Sequence, residues 1–145
     1  MKKIILALLV VVSLVALAGC APKQPEQTYE NGTYRGTFSD SGEMQVNVEF
    51  KLENNIVKSI KFRYLAYKGV DYLKSDDQTV IGLRDQHQQL ADHLIGKDIR
   101  VALADLYKPG DIVKNQVDAF TGATLRASKV LSASRDALNR GVYSR

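Results

Sequence analysis

The sequence predicts an α+β domain, an antiparallel sheet with helices packed on one of its faces. Three observations favour this class. Residues 44–52 and 56–64 alternate apolar and polar side chains with a period of two, which is typical of strands buried on one face. Residues 127–138 repeat small and apolar side chains at the i, i+3, i+4, i+7 spacing of an amphipathic helix. The composition, 45% hydrophobic and 25% charged over 145 residues, is that of an ordinary globular chain with room for one domain.

The two alternating segments predict an antiparallel hairpin with one face on a core and the other in water. The turn between them falls at Asn54-Asn55. A first strand from Thr33 to Phe38 precedes them, after the turn signal Asn31-Gly32. The apolar positions are Met44, Val46, Val48, Phe50 and Leu52 in the first segment and Ile56, Ile60, Phe62 and Tyr64 in the second.

The middle of the chain predicts a loop and then a helix. Residues 67–79 contain Gly69 and show no clear period, so we expect a loop there. Gly96 is placed as the C-terminal end of the helix that follows. For Ile99 to Leu106 the pattern leaves a strand and a short helix equally open. The apolar face of the predicted helix consists of Leu83, His87, Leu90, Ala91 and Leu94.

The last part of the chain predicts a strand followed by a long helix. A turn at residues 108–111 contains Pro109-Gly110. The segment from Ile112 to Phe120 then predicts a short strand, and the closing helix runs from about Gly122 to Asn139. Gly141 is placed to end that helix.

The N-terminus has the pattern of an export signal. Two lysines precede an apolar run from Ile4 to Ala18, which is too short to span a bilayer comfortably. The run ends in Leu17-Ala18-Gly19-Cys20, which resembles the bacterial lipobox. This resemblance implies a signal peptide at residues 1–19 and lipidation of Cys20. An uncleaved anchor helix with an incidental cysteine is the alternative, and both interpretations place the domain at a membrane, on its extracytoplasmic face.

Behind the signal peptide the sequence divides into a tether and one domain. Residues 20–30 hold the lipidated cysteine and two prolines of an expected flexible tether, and residues 31–145 form the domain. Without residues 1–19 the chain keeps 18 basic and 16 acidic residues, so its formal net charge is +2 instead of +4. A nearly neutral, exported chain does not suit nucleic-acid binding. Cys20 is the sole cysteine, so the domain has no thiol for a disulfide.

The two histidines do not form a metal site in this pattern. His87 and His93 are six residues apart, which does not place them on one helical face, and no tight carboxylate cluster completes a ligand set. We therefore assign no metal and expect His87 at the edge of the core and His93 at the surface. We assign no catalytic residue either, because the sequence contains no catalytic triad, Rossmann glycine loop or carboxylate pair with an evident role.

One motif stands where the closing helix begins. It has the order Asp-x-x-Thr-Gly-Ala-Thr and is formed by Asp118, Thr121, Gly122, Ala123 and Thr124. Thr121 has the position of an N-cap, and Gly122 and Ala123 remove side-chain bulk from the first turn. The free N–H groups and the positive end of the helix dipole are then open to an anion, and a phosphate fits there. A cap and tight turn with no ligand is the alternative explanation.

The motif resembles the flavinylation motif of the FMN-binding domain family. That family includes peripheral flavin subunits of the sodium-pumping NADH:quinone reductase and of the Rnf complex, and stand-alone flavin lipoproteins. The opening Asn31-Gly32-Thr33-Tyr34-Arg35-Gly36 is similar to the start of such domains. The resemblance implies that a flavin transferase takes FMN from FAD and joins its phosphate to the hydroxyl of Thr124. The residues that the transferase would read, and that would pack around the phosphoester, are Asp118, Thr121, Gly122 and Ala123.

The resemblance also implies a role in electron transfer. Covalent FMN suits an exported domain because a dissociated cofactor would be lost by dilution, so we expect a carrier between an unidentified donor and acceptor rather than an independent enzyme. Phe120 is the first candidate to contact the ring, and Arg126 and Lys129 are candidates near the phosphate. Further aromatic candidates, which packing also explains, are Tyr64, Tyr67, Tyr72 and Tyr107. Two alternatives are a lipid-anchored binding or scaffold module of the same fold without covalent flavin, and a reductase component acting on a small acceptor.

Overall fold

A computed structural model describes residues 27–114 and 120–144, with only the backbone described for residues 120–125. Within these ranges the predicted α+β class is confirmed: one antiparallel sheet carries helices against one face. The predicted signal peptide, Cys20, most of the tether and Asp118 lie outside the described residues. The strands are β1 (Gly32–Asp40), β2 (Met44–Glu53), β3 (Ile56–Tyr67) and β4 (Val70–Asp71); the helices are α1 (Gln78–Asp92), α2 (Ile99–Ala102) and α3 (Phe120–Arg140), with 3₁₀ turns at Leu103–Tyr107 and Pro109–Asp111.

The predicted hairpin is formed by β2 and β3, and its two strands differ in how well the sequence described them. In β2 the five predicted apolar side chains all face the core. In β3 the prediction was partly wrong, because Ile56 and Tyr64 are only half-buried. The side chains of β3 that face the core are Val57, Ile60, Phe62 and Leu65.

Two β-bulges explain the change of phase in β3. Val48 pairs with Phe62 whereas Asn47 pairs with Tyr64, so Arg63 is an extra residue in the ladder. Lys58 is a second extra residue, between the partners of Lys51 and Leu52. Because side chains alternate between faces, each extra residue moves the next inward position by one. The bulges thereby keep the inward face of β3 apolar although the sequence does not alternate strictly.

Helix α3 lies directly on β1 because Gly36 has no side chain. A Cβ atom added at Gly36 would lie 2.7 Å from the Cβ of Ala137 and would also clash with the backbone carbonyl of Ala133. On the helix side the contact is made by small buried residues, which let the two backbones approach closely. The carboxylate of Asp136 also accepts a hydrogen bond of 2.8 Å from the amide of Thr37. The second half of α3 is therefore fixed against the first strand.

The end of the chain continues along the outer edge of β1. The prediction that Gly141 ends the helix is confirmed, since α3 stops at Arg140 and Gly141 adopts a φ of +81°. Val142 then forms a bridge with Tyr34, and the amide of Tyr143 donates to the carbonyl of Thr33 at 2.7 Å. These pairs satisfy backbone groups that an edge strand otherwise leaves unpaired.

The predicted middle helix is α1, and its predicted apolar face is confirmed in part: His87, Leu90 and Ala91 are buried, whereas Leu83 is half-buried and Leu94 is buried beyond the end of the helix. Asp77 caps its start, accepting hydrogen bonds from the amides of Thr79 at 2.9 Å and Val80 at 3.1 Å. The predicted end at Gly96 was wrong, because α1 ends at Asp92 and tighter turns follow. Gly96, with a φ of +78°, reverses the chain within those turns and donates its N–H to the carbonyl of Val57.

Three other connecting segments resolve or correct the sequence predictions. The expected loop at residues 67–79 contains β4, which pairs with the end of β3. The segment from Ile99 to Leu106 is helical, so the helix alternative is confirmed. The predicted strand from Ile112 was wrong where the structure describes it: the amides of Ile112 and Val113 both donate to the carbonyl of Pro109, which withdraws them from strand pairing. None of the helices in the described ranges has the length and apolar character needed to cross a membrane.

Candidate functional site

The described part of the motif belongs to the first turns of α3. The helix begins at Phe120, so Thr121 has helical backbone and is not the N-cap that the sequence predicted. An N-cap residue needs non-helical backbone and directly precedes the first helical residue, so Thr121 lies two residues past the N-cap position. The first residues of a helix have N–H groups without intrahelical acceptors, and Phe120 to Ala123 are those residues here. The anion-binding potential of the helix start therefore still falls on the motif.

A cavity of about 290 Å³ adjoins α3 shortly after the motif. It opens between the first half of α3, the helix α1 and the end of the sheet where β3 meets β4. Its volume lies just below the range of about 300–1,000 Å³ for small-molecule sites. The residues that line it are Met44, Tyr67, Tyr72, Leu83, His87, Arg126 and Lys129.

Two cationic side chains from α3 line this cavity. Arg126, which the sequence suggested as a residue near the phosphate, is 9% exposed and donates from Nε to Oε1 of Gln86 at 2.6 Å. Burial lowers the pKa of Lys129, the positive charge of Arg126 lowers it further, and the carboxylate of Asp40 acts in the opposite direction. Two neighbouring positive charges at a half-buried site attract an anion, because an anion relieves their repulsion.

Two of the four candidate tyrosines meet at the cavity. Tyr67 is 40% exposed and Tyr72 is 7% exposed, so one lies at the mouth and the other in the wall. Tyr64 lies at the bulge of β3 opposite Asn47 and does not line the cavity. Tyr107 lines a different cavity, where its hydroxyl accepts a hydrogen bond of 2.8 Å from Arg135. The side chain of Phe120 lies outside the described part of the chain.

His87 is more deeply buried than the sequence predicted. It is 1% exposed, because Phe62 and Tyr72 both pack against it edge to face with ring centroids 6.1 Å away. Its Nδ1 lies 2.8 Å from the carbonyl oxygen of Leu83. Burial lowers the pKa of His87 to about 4, and the nearby charges of Arg126 and Lys129 act in the same direction. The side chain is therefore neutral at pH 7.

The other histidine is part of an ion-pair group elsewhere. Nε2 of His93 lies 2.8 Å from a carboxylate oxygen of Asp105, and Lys97 reaches the same carboxylate at 3.6 Å. The side chain of His93 keeps a quarter of its surface exposed, in agreement with the predicted surface position. Among the described residues, no group of three or more histidine, cysteine or acidic side chains is arranged to hold a metal ion.

A second cavity, of about 530 Å³, was not predicted from the sequence and lies at the edge of β1, beside the residues that follow α3. Its wall contains the guanidinium groups of Arg35, Arg63 and Arg140 and the ring of Tyr143. The central carbon of the Arg35 guanidinium lies 3.7 Å from the centroid of the Tyr143 ring. Glu49 lies between the basic side chains, and its pKa is lowered by hydrogen bonds from Lys61 and then from Arg35. The available signal was the set of outward-facing charges at paired positions of β1, β2 and β3.

Comparisons of this chain with models of known protein families and with curated proteins found no match.

Proposed function

We propose that this chain is an extracytoplasmic, lipid-anchored flavoprotein that carries FMN in a phosphoester bond to Thr124 and passes electrons between two redox partners. The observation that carries the proposal is the position of the first cavity. It borders Arg126 and Lys129, which lie within two turns of the motif in the same helix, and Tyr72 forms part of its wall. An aromatic and partly cationic cavity beside the motif suits a planar ring that carries a phosphate.

The residues around this cavity fit FMN in three respects. The tyrosines and Met44 offer faces and edges for a planar ring. Arg126 and Lys129 add positive charge for the phosphate. The volume of about 290 Å³ accommodates a ring system rather than a whole nucleotide, so the phosphate would remain outside, towards the start of α3. This division is compatible with attachment of the phosphate near the start of α3, where the motif lies.

When bound, FMN supplies the electron-transfer chemistry, and the chain supplies position, charge and access to solvent. In the attachment step the hydroxyl oxygen of Thr124 forms a bond to the FMN phosphorus of FAD, the pyrophosphate bond breaks, and AMP leaves with the hydroxyl proton. The transferase is the partner that this step requires. Because Tyr67 is exposed at the mouth, a molecule in the cavity also reaches the surface, which electron exchange with a donor and an acceptor requires.

The mass of the purified chain tests this proposal. Co-expression with a flavin transferase should add the mass of FMN less one water, and Thr124→Val should abolish the gain because valine has no hydroxyl. Thr37→Val is the matched control, since Thr37 is an exposed threonine on β1, outside the motif, and its replacement should leave the gain intact. An unchanged mass of the unmodified sequence, or a gain in Thr124→Val, would contradict the proposal.

The colour of the protein separates this function from the scaffold alternative. Covalent flavin remains with the chain when the protein is denatured and passed over a desalting column. A module that holds a flavin without a covalent bond releases its colour in the same experiment, and a module without flavin has none.

A further inference from the structure

A buried histidine without a full set of partners borders the proposed flavin cavity. His87 is held on α1 between Phe62 and Tyr72, and it contributes to the cavity wall. Its Nε2 exposes less than 1 Å² and has no hydrogen-bond partner among the described residues. A buried polar atom without a partner is unusual in native proteins, because it loses its hydration and gains nothing in return. This atom therefore points to a missing partner.

The other ring nitrogen determines what kind of partner is missing. A carbonyl oxygen can only accept, so the 2.8 Å contact with Leu83 requires a proton on Nδ1 of His87. Because the ring is neutral, Nε2 then carries a lone pair and acts as an acceptor. The positive charges of Arg126 and Lys129 disfavour protonation of the His87 ring, so Nε2 keeps its lone pair and still needs a partner. The missing partner must be a donor.

We propose that Nε2 of His87 accepts a hydrogen bond from an N–H group of the ring that enters the cavity, and that this contact selects the ring by its donor edge. The proposal rests on the proposed function in naming a flavin, whose ring carries an imide N–H between two carbonyl groups. It does not require the bond to Thr124. The cavity wall includes Met44, whose unbranched side chain adapts to an entering group and allows the wall beside His87 to yield.

Nitrogen NMR of the unflavinylated chain tests this contact directly. In protein with labelled histidine, the resonance of Nε2 of His87 should show the unprotonated form and should shift when riboflavin is added. The probe for the donor edge is 3-methylriboflavin, in which a methyl group replaces the imide hydrogen. It should bind about tenfold more weakly than riboflavin, because it leaves the buried acceptor unpaired, and it should not produce the shift of Nε2.

Variants at the same position make the test independent of one measurement. His87→Leu removes the acceptor and should bind riboflavin and 3-methylriboflavin equally, whereas His87→Gln keeps an oxygen acceptor and should retain part of the preference. His93→Gln is the matched control and should keep the full preference, since His93 lies at the Asp105 ion pair and not at the cavity.

The possible outcomes are distinct. An Nε2 resonance that riboflavin leaves unchanged up to its limit of solubility would overturn the inference, as would equal affinity of the unmodified chain for the two flavins. Neither result affects the mass gain at Thr124, and loss of that gain leaves the response of His87 intact. Failure of the inference and failure of the proposed function can therefore be told apart.

Discussion

Burial of His87 should make the stability of this protein depend on pH in a defined range. The pKa of His87 is about 4 in the folded chain and about 6.5 in the unfolded chain. Between these values the unfolded chain takes up a proton that the folded chain does not, so the free energy of unfolding falls as the pH falls. The contribution of His87 is fully present above pH 6.5 and is lost by about pH 4. The loss amounts to about 3 kcal/mol for this difference in pKa.

Urea unfolding at pH 7.0, 5.5 and 4.0 measures this effect in the unflavinylated protein. Other groups also titrate in the range, because Glu49, Asp98 and Asp105 have lowered pKa values in the folded state. The quantity to compare is therefore the difference between two proteins. The unmodified chain should lose about 3 kcal/mol more than His87→Leu between pH 7 and pH 4.

A second core variant provides the control for this comparison. Leu90→Ala should lower the free energy of unfolding at every pH by about 2–5 kcal/mol, because Leu90 is fully buried. Its pH dependence should remain that of the unmodified chain, since it leaves the titration of His87 in place. Parallel pH profiles for the unmodified chain and His87→Leu would show that His87 does not resist protonation, and the reasoning would be refuted.

Two further variants test contacts that hold the elements together. Gly36→Ala should lower the free energy of unfolding by about 1–3 kcal/mol or more, because the added Cβ meets the backbone of α3. Thr37→Ala changes an exposed neighbour on β1 and should lower it less. Equal losses of the two variants in thermal unfolding would contradict the close approach of helix and strand. Asp77→Ala should lower the free energy of unfolding by about 1 kcal/mol through loss of the N-cap of α1. Asp76→Ala should leave the urea midpoint nearly unchanged. A similar loss of stability in both variants would argue against the cap.

The inward face of β2 could be predicted from the sequence, but that of β3 could not. Every second residue of β2 is apolar, and the strand keeps this phase along its length. In β3 the phase changes at Lys58 and Arg63, where one extra residue enters the ladder. Neither position has a residue that marks a bulge, such as glycine. The register depends on how β2 pairs with β3, which is a property of both strands together.

The candidate site was predictable in its parts but not in its arrangement. The sequence suggested Arg126, Lys129 and several tyrosines one by one, and the structure brings Tyr67 and Tyr72 to the cavity while leaving Tyr64 and Tyr107 elsewhere. The sequence pattern does not predict that these side chains line one cavity, because the cavity wall is formed by segments that are far apart in the chain. For example, the hydrogen bond between Gln86 and Arg126 joins residues that are 40 positions apart. The depth of His87 has the same origin, since Phe62 and Tyr72 bury it from the sheet side.

The packing of α3 divides this helix into two parts with different tasks. Its second half is fixed to β1 through the contact at Gly36 and the hydrogen bond between Asp136 and Thr37. Its first half borders the cavity, where Arg126 and Lys129 keep positive charge at a place that burial makes costly. The anionic ligand of the proposed function would use this charge. Under the proposed function, the second half of α3 supplies rigidity and the first half borders the ligand, so substitutions at Gly36 should act on stability and substitutions at Lys129 on the affinity for the proposed phosphate group.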